Sequence, residues 1–348
     1  MPYIVKYSLQ RIGLLILTTF IILSLTFFLV KMLPDAVVSG NEAAQYAFWR
    51  DQANLGYVFE KSYTIQGYGE AVLTYQDPDG IMHIFYREPI IRQYGAWLTG
   101  IFTSWNWGTS SAIQPGSGAM DIIWTRLGPT VIINIFAMLI SVPLGFVFGI
   151  IAALNKNKWP DHLISTLVMV MISVPSFVTI SVLMLLLSYN TSWLPSHWPS
   201  SGGAGAYAAA MVIPVLSLVF GTVAGFTRYT RAELTEVISS DFLLLARTKG
   251  LTRTQCIVRH ALRNSMVPIV PMIIGEFVGI LSGSMILEQL YSIPGIGGLF
   301  VNAITYKDWN VLLVDMAVYT MIGLLANLLV DLSYGIIDPR IRMGAKAA

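Results

Sequence analysis

The chain has 348 residues, of which 55% are hydrophobic and only 11% are charged. Ordinary soluble domains carry about 25% charged residues, so this composition favours a protein that crosses a membrane several times. A net charge of +2 gives no support to a nucleic-acid-binding protein. The single cysteine, Cys256, and the absence of an HExxH pair exclude an intrachain disulfide and the common zinc sites, so no metal site is predicted.

Six long apolar runs predict six transmembrane helices, because a helix that crosses a bilayer needs about 20 mostly apolar residues. The first run is too long for a secretory signal and has no cleavage site after it, so it is interpreted as a retained span. The predicted spans are 12–30, 129–154, 163–189, 202–227, 265–288 and 311–336.

The positive charges indicate how these spans are oriented. An even number of spans puts both termini on one side, and most of the 21 Lys and Arg residues lie in the tails and short loops of that side. Short cytoplasmic loops are enriched in Lys and Arg, so we expect both termini in the cytoplasm. The predicted segments are a tail and first helix at 1–34, an extracytoplasmic segment at 35–125, a transmembrane core at 126–337 with a cytoplasmic loop at 228–264, and a cytoplasmic tail at 338–348.

The extracytoplasmic segment is polar and aromatic and contains no span. Residues 70–88 alternate in polarity on both sides of Asp-Pro-Asp-Gly, which predicts a β-hairpin. Residues 41–54 are typical of a short helix. We therefore expect a small mixed α/β insertion after the first helix, and its role as a docking surface, a lid or a structural cap stays open.

A helix–glycine–helix pattern follows the fourth span. Ser240 or Asp241 can cap a helix at 242–249, and Gly250 can supply the left-handed residue that ends it. Thr252 with Gln255 three residues later is a capping-box pattern that starts a second helix.

The second helix of this pattern is amphipathic at a helical period. One face carries the apolar residues and the other the basic residues and a histidine. The apolar set is Ile257, Val258, Ala261 and Leu262, and the polar set is Arg253, Arg259, His260 and Arg263. Two interpretations compete: an interfacial helix on anionic lipid headgroups, or a docking element for a cytosolic partner.

Glu276 is placed near the middle of the predicted fifth span. Intramembrane acids are costly and mark functional sites by default, so Glu276 is a candidate for the substrate pathway. It could also be protonated and inert.

At this point several ordered motifs carry a resemblance to a known family. The stretch "DFLLLARTKGLTRTQCIVRHALRNSMVP" (241–268) resembles the cytoplasmic coupling loop of permease subunits in ABC importers of the dipeptide/oligopeptide branch. The family's general signature is EAA, three residues, Gly, nine residues and I-x-L-P. Gly250 matches its glycine and Ala246 the last EAA position, whereas the I-x-L-P positions hold the different residues 260–263. "MISVPSFV" (171–178), "EQLYSIPGIGGLFVNAITYKDW" (288–309) and "VDLSYGIIDPRIR" (330–342) are similar to further family motifs.

The resemblance implies a type I ABC importer permease fold and a set of partners. These are a homologous second permease subunit, two cytosolic ATPase subunits, an extracytoplasmic peptide-binding protein, a peptide substrate and the lipid of a prokaryotic inner or plasma membrane. Residues 241–264 would couple the chain to the ATPases. Glu276 could meet the amino terminus of the peptide or pair with the second permease subunit. Ala246, Arg247, Lys249, Gly250 and Leu251 are the candidate coupling residues, and Asp241, Thr252, His260 and Arg263 are assigned to the fold of the loop.

The chain itself has no GxxxxGK[ST] motif, so a phosphate-binding loop of that kind is excluded and no enzymatic activity is expected. ATP and magnesium would bind to the partner subunits, and no cofactor is expected on this chain. Two alternatives stay open. One is a permease for nickel or another small solute, and the other is an ion-coupled secondary transporter that uses Glu276 and Asp315.

Overall fold

The computed structural model describes residues 3–34, 42–63, 71–279 and 283–337. The α-helices are, in chain order, α1 Tyr3–Lys31, α2 Glu42–Asn54, α3 Ile90–Ser104, α4 Ala119–Leu154, α5 Trp159–Ser173, α6 Ser176–Met184, α7 Ala204–Ile238, α8 Asp241–Thr248, α9 Arg253–Gln255, α10 Leu262–Gly279, α11 Met285–Leu290, α12 Ile296–Thr305 and α13 Trp309–Ile337. Two π-helices, π1 Leu185–Tyr189 and π2 Cys256–Ala261, continue α6 and α9. The strands are β1 Val58–Lys61, β2 Leu73–Gln76 and β3 Met82–Arg87.

Five helical stretches in the described part of the chain are long and apolar enough to cross a membrane, and a bent pair makes a sixth. The bent pair consists of α5 and the α6–π1 helix, which meet at an angle of 93°. The predicted span over 163–189 is therefore a bent pair of helices rather than one straight helix. The break falls at Val174 and Pro175, because a residue before proline is forced out of the helical region, and Val174 is extended with ψ 115°.

The prediction of a fifth span over 265–288 places the end of the helix too late. Helix α10 ends at Gly279, and residues 285–290 form the separate short helix α11. Residues 283 and 284 are not helical, since Gly283 has a φ of +66° and Ser284 is extended at the start of α11. Glu276 consequently lies in the last turn of α10 rather than in the middle of a span.

The chain divides into two compact units, and the first is a helical bundle unit built mainly on Leu127–Gly298. Its core joins α4, α6, α7 and α11 through apolar side chains that include Ile133, Ile180 and Ile213. Helices α4 and α7 pack closely at Gly145, since a Cβ there would lie 2.4 Å from the Cβ of Phe226 on α7. Gly149 is equally close to Thr230, so small residues on α4 allow the two helices to touch through their backbones.

A buried ion pair joins α5 to α7 in the bundle unit. The Asp161 carboxylate is 1% exposed and accepts hydrogen bonds from Nε and Nη2 of Arg231, the second at 2.9 Å. The backbone N–H of Asn157 and the hydroxyl of Ser165 also donate to it. This arrangement fixes the start of α5 on α7.

The second unit is a sheet unit that comprises Ile16–Arg126 and Leu299–Thr320. Its antiparallel sheet has the strand order β1-β3-β2. The described part of the predicted hairpin is present, with Gln76 paired to Met82 across the Asp77–Gly80 turn. The predicted helix at 41–54 corresponds to α2, whereas residue 41 and residues 64–70 lie outside the described chain. The sequence did not predict strand β1 or helix α3.

A histidine links the three strands of this sheet. The Nδ1 of His83 on β3 bonds to the carboxylate of Glu60 on β1, and its Nε2 lies 3.3 Å from the carboxylate of Asp77 in the β2–β3 turn. The rings of Tyr46 and Tyr75 pack around the imidazole. Hydrogen bonding to Glu60 raises the pKa of His83, and the N–H of Ile81 lowers the pKa of Asp77.

We expect the stability of the sheet unit to depend on pH through this cluster. A raised His83 pKa contributes stability that is fully present below the usual histidine pKa of about 6.5 and is lost as pH rises through the folded value. The lowered Asp77 pKa acts in the opposite sense, with stability lost as pH falls below the usual aspartate range. Amide hydrogen exchange of β3 at a series of pH values should show weaker protection in alkali, and His83→Gln should remove that dependence. An unchanged alkaline profile in the variant would contradict the assignment.

Candidate functional site

The helix–glycine–helix pattern of the sequence forms a folded segment in the bundle unit, which we call the elbow segment (residues 240–264). Helix α8 ends with two backbone hydrogen bonds that close a Schellman motif: the N–H of Leu251 donates to the carbonyl of Ala246, and that of Gly250 to the carbonyl of Arg247. Gly250 has a φ of +90°, the left-handed conformation that the sequence predicts for it. Its Cα faces open space, so the backbone angle alone selects glycine here.

The second half of the elbow segment starts with a capping box. The hydroxyl of Thr252 accepts from the N–H of Gln255, and the Gln255 side chain accepts from the N–H of Thr252. At the start of α8 the structure differs from the expected cap. Ser240 occupies the N-cap position, but its hydroxyl donates to the carbonyl of Val237 at 2.6 Å and does not cap the helix.

The elbow segment has a small apolar core of its own. Leu243, Cys256 and Ala261 are buried against Ala153 at the end of α4 and Leu234 near the end of α7. Ala246, Leu251 and Leu262 pack against the same cluster. The elbow segment is therefore attached to two long helices of the bundle, and it does not extend away from them as a flexible loop.

The buried face of the second helix of the elbow segment differs from the predicted one. Residues 256–261 form the π-helix π2, in which residues five apart share a face, so Cys256 and Ala261 point together into the core. Val258, which an α-helical period places on the apolar side, is 58% exposed. A calculation at 100° per residue could not anticipate this change of period.

The outer surface of the elbow segment combines apolar and basic side chains. Phe242, Leu244 and Leu245 on α8 are all exposed, and Arg247 and Lys249 are exposed beside them. The exposure of these three apolar side chains was not predicted from the sequence. A usable signal was present, because a helix of eight residues needs few apolar side chains to cover one buried face, and α8 carries four large ones.

The structure separates the sequence-predicted residues of the elbow segment into two groups. Ala246 and Leu251 pack inward, and His260 is half-buried. Five residues lie on the outer surface: Arg247, Lys249, Gly250, Asp241 and Arg263. Thr252 is exposed but has the capping role described above.

A cavity of about 440 Å³ lies between the elbow segment and the end of α4. Its wall includes Leu154 on α4, Ser239 after α7, and Asp241, Arg247 and Arg253 of the elbow segment. The elbow segment is thus held by its apolar core on one side and is free of packing on another.

Glu276 lies away from the elbow segment, in the last turn of α10. Its side chain is exposed on this chain, and Oε1 accepts a hydrogen bond of 3.4 Å from the hydroxyl of Thr222 on α7. Asp315 is fully buried in α13. Among the described residues no group of three or more His, Cys, Asp or Glu side chains is arranged to hold a metal ion.

Known proteins that are similar to this chain identify its class as a permease subunit of an ABC transporter. The family described as "binding-protein-dependent transport system inner membrane component" matches residues 145–343, which is more than half of the chain. The chain belongs to this family.

Curated relatives match over almost their whole length. The chain is 33% identical to the dipeptide transport system permease protein DppB of Lactococcus lactis, over 97% of this chain and 100% of that protein. It is 30% identical to the oligopeptide transport system permease protein OppB of Haemophilus influenzae, over 97% and 99%. It is 29% identical to the glutathione transport system permease protein GsiC of Escherichia coli K12, over 97% and 99%. All three names describe permease subunits of peptide-type transport systems.

Solved structures agree on the fold. A chain of the MetNI methionine ABC transporter in an inward-facing conformation aligns with 63% of this chain and 97% of its own length, with a TM-score of 0.51 and 13% identity. A chain of an amino acid ABC transporter with histidines aligns with 62% and 94%, with a TM-score of 0.50 and 17% identity. At these identities the similarity supports the ABC permease fold alone.

Proposed function

We propose that this chain is one half of the translocation pathway of an ATP-driven importer of di- and oligopeptides. In this proposal it lies in a prokaryotic inner or plasma membrane with both termini in the cytoplasm and residues 35–125 outside. A homologous permease subunit completes the pathway, and an extracytoplasmic binding protein delivers the peptide. Two cytosolic ATPase subunits bind ATP and magnesium and bind this chain at the elbow segment. The peptide cargo is supported by the names of the three relatives.

The single observation that carries the proposal is the construction of the elbow segment. A helix that only anchors a chain to lipid needs no more than an amphipathic surface. The elbow segment has in addition a Schellman motif, a capping box and a small apolar core packed against α4 and α7. Such a compact element can transmit a displacement to the two long helices beneath it. Its outer surface offers three exposed apolar side chains and two cations, a mixture typical of protein interfaces.

The proposal is tested by isolating the chain from its native membrane and identifying the proteins that remain bound. We expect two ATPase chains and a second permease subunit, and ATP hydrolysis that increases when a peptide-loaded binding protein is added. Transport by the chain alone in vesicles, without ATPase subunits or ATP, would contradict the proposal and favour the ion-coupled alternative. Nickel ions in place of peptide distinguish the small-solute alternative in the same assay.

Reversal of charge on the outer surface of the elbow segment should weaken binding of the ATPases. Arg247→Glu with Lys249→Glu is expected to lower their affinity about tenfold or more, since charges within an interface contribute to orientation and to affinity. The matched control is Lys61→Glu on the exposed end of β1, which should leave binding unchanged. Affinity is measured by titrating purified ATPase onto the permease in detergent. Equal affinities for the two variants would contradict the docking surface.

Glu276 is proposed as a contact for the positively charged amino terminus of the peptide. Its side chain is exposed on α10, and the Thr222 hydroxyl donates a hydrogen bond of 3.4 Å to its carboxylate. Glu276→Gln is expected to raise the concentration of peptide needed for half-maximal uptake several-fold, while uptake of an amino-acetylated peptide should be the same in both proteins. If both peptides lose uptake equally, Glu276 has another role, such as pairing with the second subunit.

A further inference from the structure

Helix α11 is a six-residue helix between the last two long apolar helices, and its Glu288 has a buried carboxylate that is 3% exposed. The hydroxyl of Thr130 on α4 donates to its Oε1 at 2.7 Å, and the N–H of Gly298 in α12 donates to its Oε2 at 2.8 Å. Both of these partners are donors, which is what a carboxylate requires.

The surrounding backbone is shaped to this carboxylate. A Cβ on Gly295 would lie 2.3 Å from Cδ of Glu288, and a Cβ on Gly283 would lie 2.5 Å from Oε1. Gly297 is restricted in the same way, since its Cβ would approach the backbone of Met285 to 2.9 Å. Three glycines from both sides of α11 therefore wrap closely around one side chain, and the first turn of α12 is directed at it.

Thr130 extends this contact into a chain of hydrogen bonds. Its hydroxyl donates to Glu288 and accepts from the N–H of Ile296, the first residue of α12, at 3.2 Å. Farther along, the hydroxyl of Tyr291 donates to the carbonyl of Pro195 at 2.5 Å, and the N–H of Trp198 donates to the carbonyl of Tyr291 at 2.9 Å. Thus α4, α11, the start of α12 and the loop before α7 are held together at one place.

This place lies at the opposite end of α4 from the elbow segment. Thr130 is 23 residues before Ala153, which packs under the elbow segment, and a helix of that length is roughly 35 Å long. Helix α10 also begins at the elbow segment, and α11 begins six residues after α10 ends. The two helices α4 and α10 are joined at one end by the elbow segment, and Glu288 joins α4 to the element that follows α10.

We propose that Glu288 is a positioning residue for transport: by binding Thr130 and the first turn of α12, it makes α4 and α10 move as one frame when the elbow segment is displaced. The inference rests on the proposed function. Without the bond, a displacement of the elbow segment would still move the near ends of α4 and α10, but the parts of the chain that meet at Glu288 would no longer move together. ATP would then be hydrolysed with less peptide moved.

The test compares peptide uptake per ATP hydrolysed in reconstituted complexes. Glu288→Gln keeps the shape of the side chain but places an NH₂ group opposite partners that are themselves hydrogen-bond donors. Thr130→Val removes the hydroxyl that donates to Glu288, with little change in side-chain volume. We expect the ratio to fall about tenfold in Glu288→Gln and about threefold in Thr130→Val, with Thr130→Ser close to the natural protein. The matched control is Thr227→Val, because the Thr227 hydroxyl is buried without a hydrogen-bond partner among the described residues.

Peptide uptake per ATP hydrolysed distinguishes a positioning role of Glu288 from a simple loss of stability. A loss of stability would lower the amount of assembled complex and leave the uptake per ATP unchanged. If Glu288→Gln does not assemble, the pair Thr130→Val and Thr227→Val decides the question. An unchanged ratio in Thr130→Val overturns the inference. If the natural complex itself moves no peptide on ATP hydrolysis, the proposed function fails first, and that result is visible before any variant is measured.

Discussion

Gly250→Val is expected to reduce peptide uptake at least tenfold while the protein still inserts in the membrane and assembles. A β-branched residue at a φ of +90° is strained by about 1–2 kcal/mol, and the site has open space, so the strain arises from the backbone and not from a clash. The chain can relieve that strain by giving up the two bonds that end α8, from Leu251 to Ala246 and from Gly250 to Arg247. The elbow segment would then lose its bend, and ATP hydrolysis would no longer drive uptake.

The control for this prediction is Gly116→Val. Gly116 has a φ of +82° and equally open space, but it lies in a loop of the sheet unit. Its valine variant carries a similar backbone strain, so any general loss of stability should be comparable in the two proteins. Uptake per ATP hydrolysed is measured for both. A ratio in Gly250→Val that equals the ratio in the control would refute the role of the elbow segment in coupling.

Asp161→Asn is expected to produce a large loss of stability in the bundle unit. The variant leaves the Arg231 guanidinium without its carboxylate and keeps only part of the hydrogen bonding at the start of α5. Removal of one partner from a buried pair costs about 3–5 kcal/mol, and the Arg231 side chain is 34% exposed, so we expect a loss of about 2–3 kcal/mol. Thermal unfolding of the purified protein in detergent measures the change.

An exposed ion pair provides the comparison. Arg92 and Glu88 lie one helical turn apart in the sheet unit, and the Arg92 side chain is 69% exposed. Arg92→Gln should change the stability by less than about 0.5 kcal/mol, because exposed pairs are screened by water and salt. Similar melting temperatures for Asp161→Asn and Arg92→Gln would show that the α5–α7 contact does not depend on the buried pair.

The sequence predicted those features of the elbow segment that depend on local rules. Gly250 is left-handed because only glycine occupies that region without strain, and the Thr252–Gln255 spacing is sufficient to form a capping box. The π-helix could not be predicted, since its extra residue per turn is selected by the packing of Cys256 and Ala261 against α4 and α7. Contacts between distant segments decide it, and periodicity within one segment does not contain them.

The same reason explains why Glu288 was not singled out from the sequence. In the sequence, Glu288 stands in an apolar motif and resembles an ordinary acidic residue at the end of a span. Its hydrogen-bond partner Thr130 is 158 residues away along the chain. The three glycines that make room for it are separated along the chain and acquire a common role only in the folded protein. For Glu276 the sequence suggested a position that the structure does not support. Hydropathy placed this residue in the middle of a span, whereas it lies near the end of α10.

The right-angled bend between α5 and α6 restricts what can surround the protein at that depth of the bilayer. At about 1.5 Å per residue, neither the 15 residues of α5 nor the 14 residues that follow the break span a hydrocarbon layer of about 30 Å on their own. The last carbonyl groups of α5 lose their helical donors at the bend, and residues 172–178 are exposed on this chain. Acyl chains offer no hydrogen bonds, so water or another polypeptide must lie against this stretch.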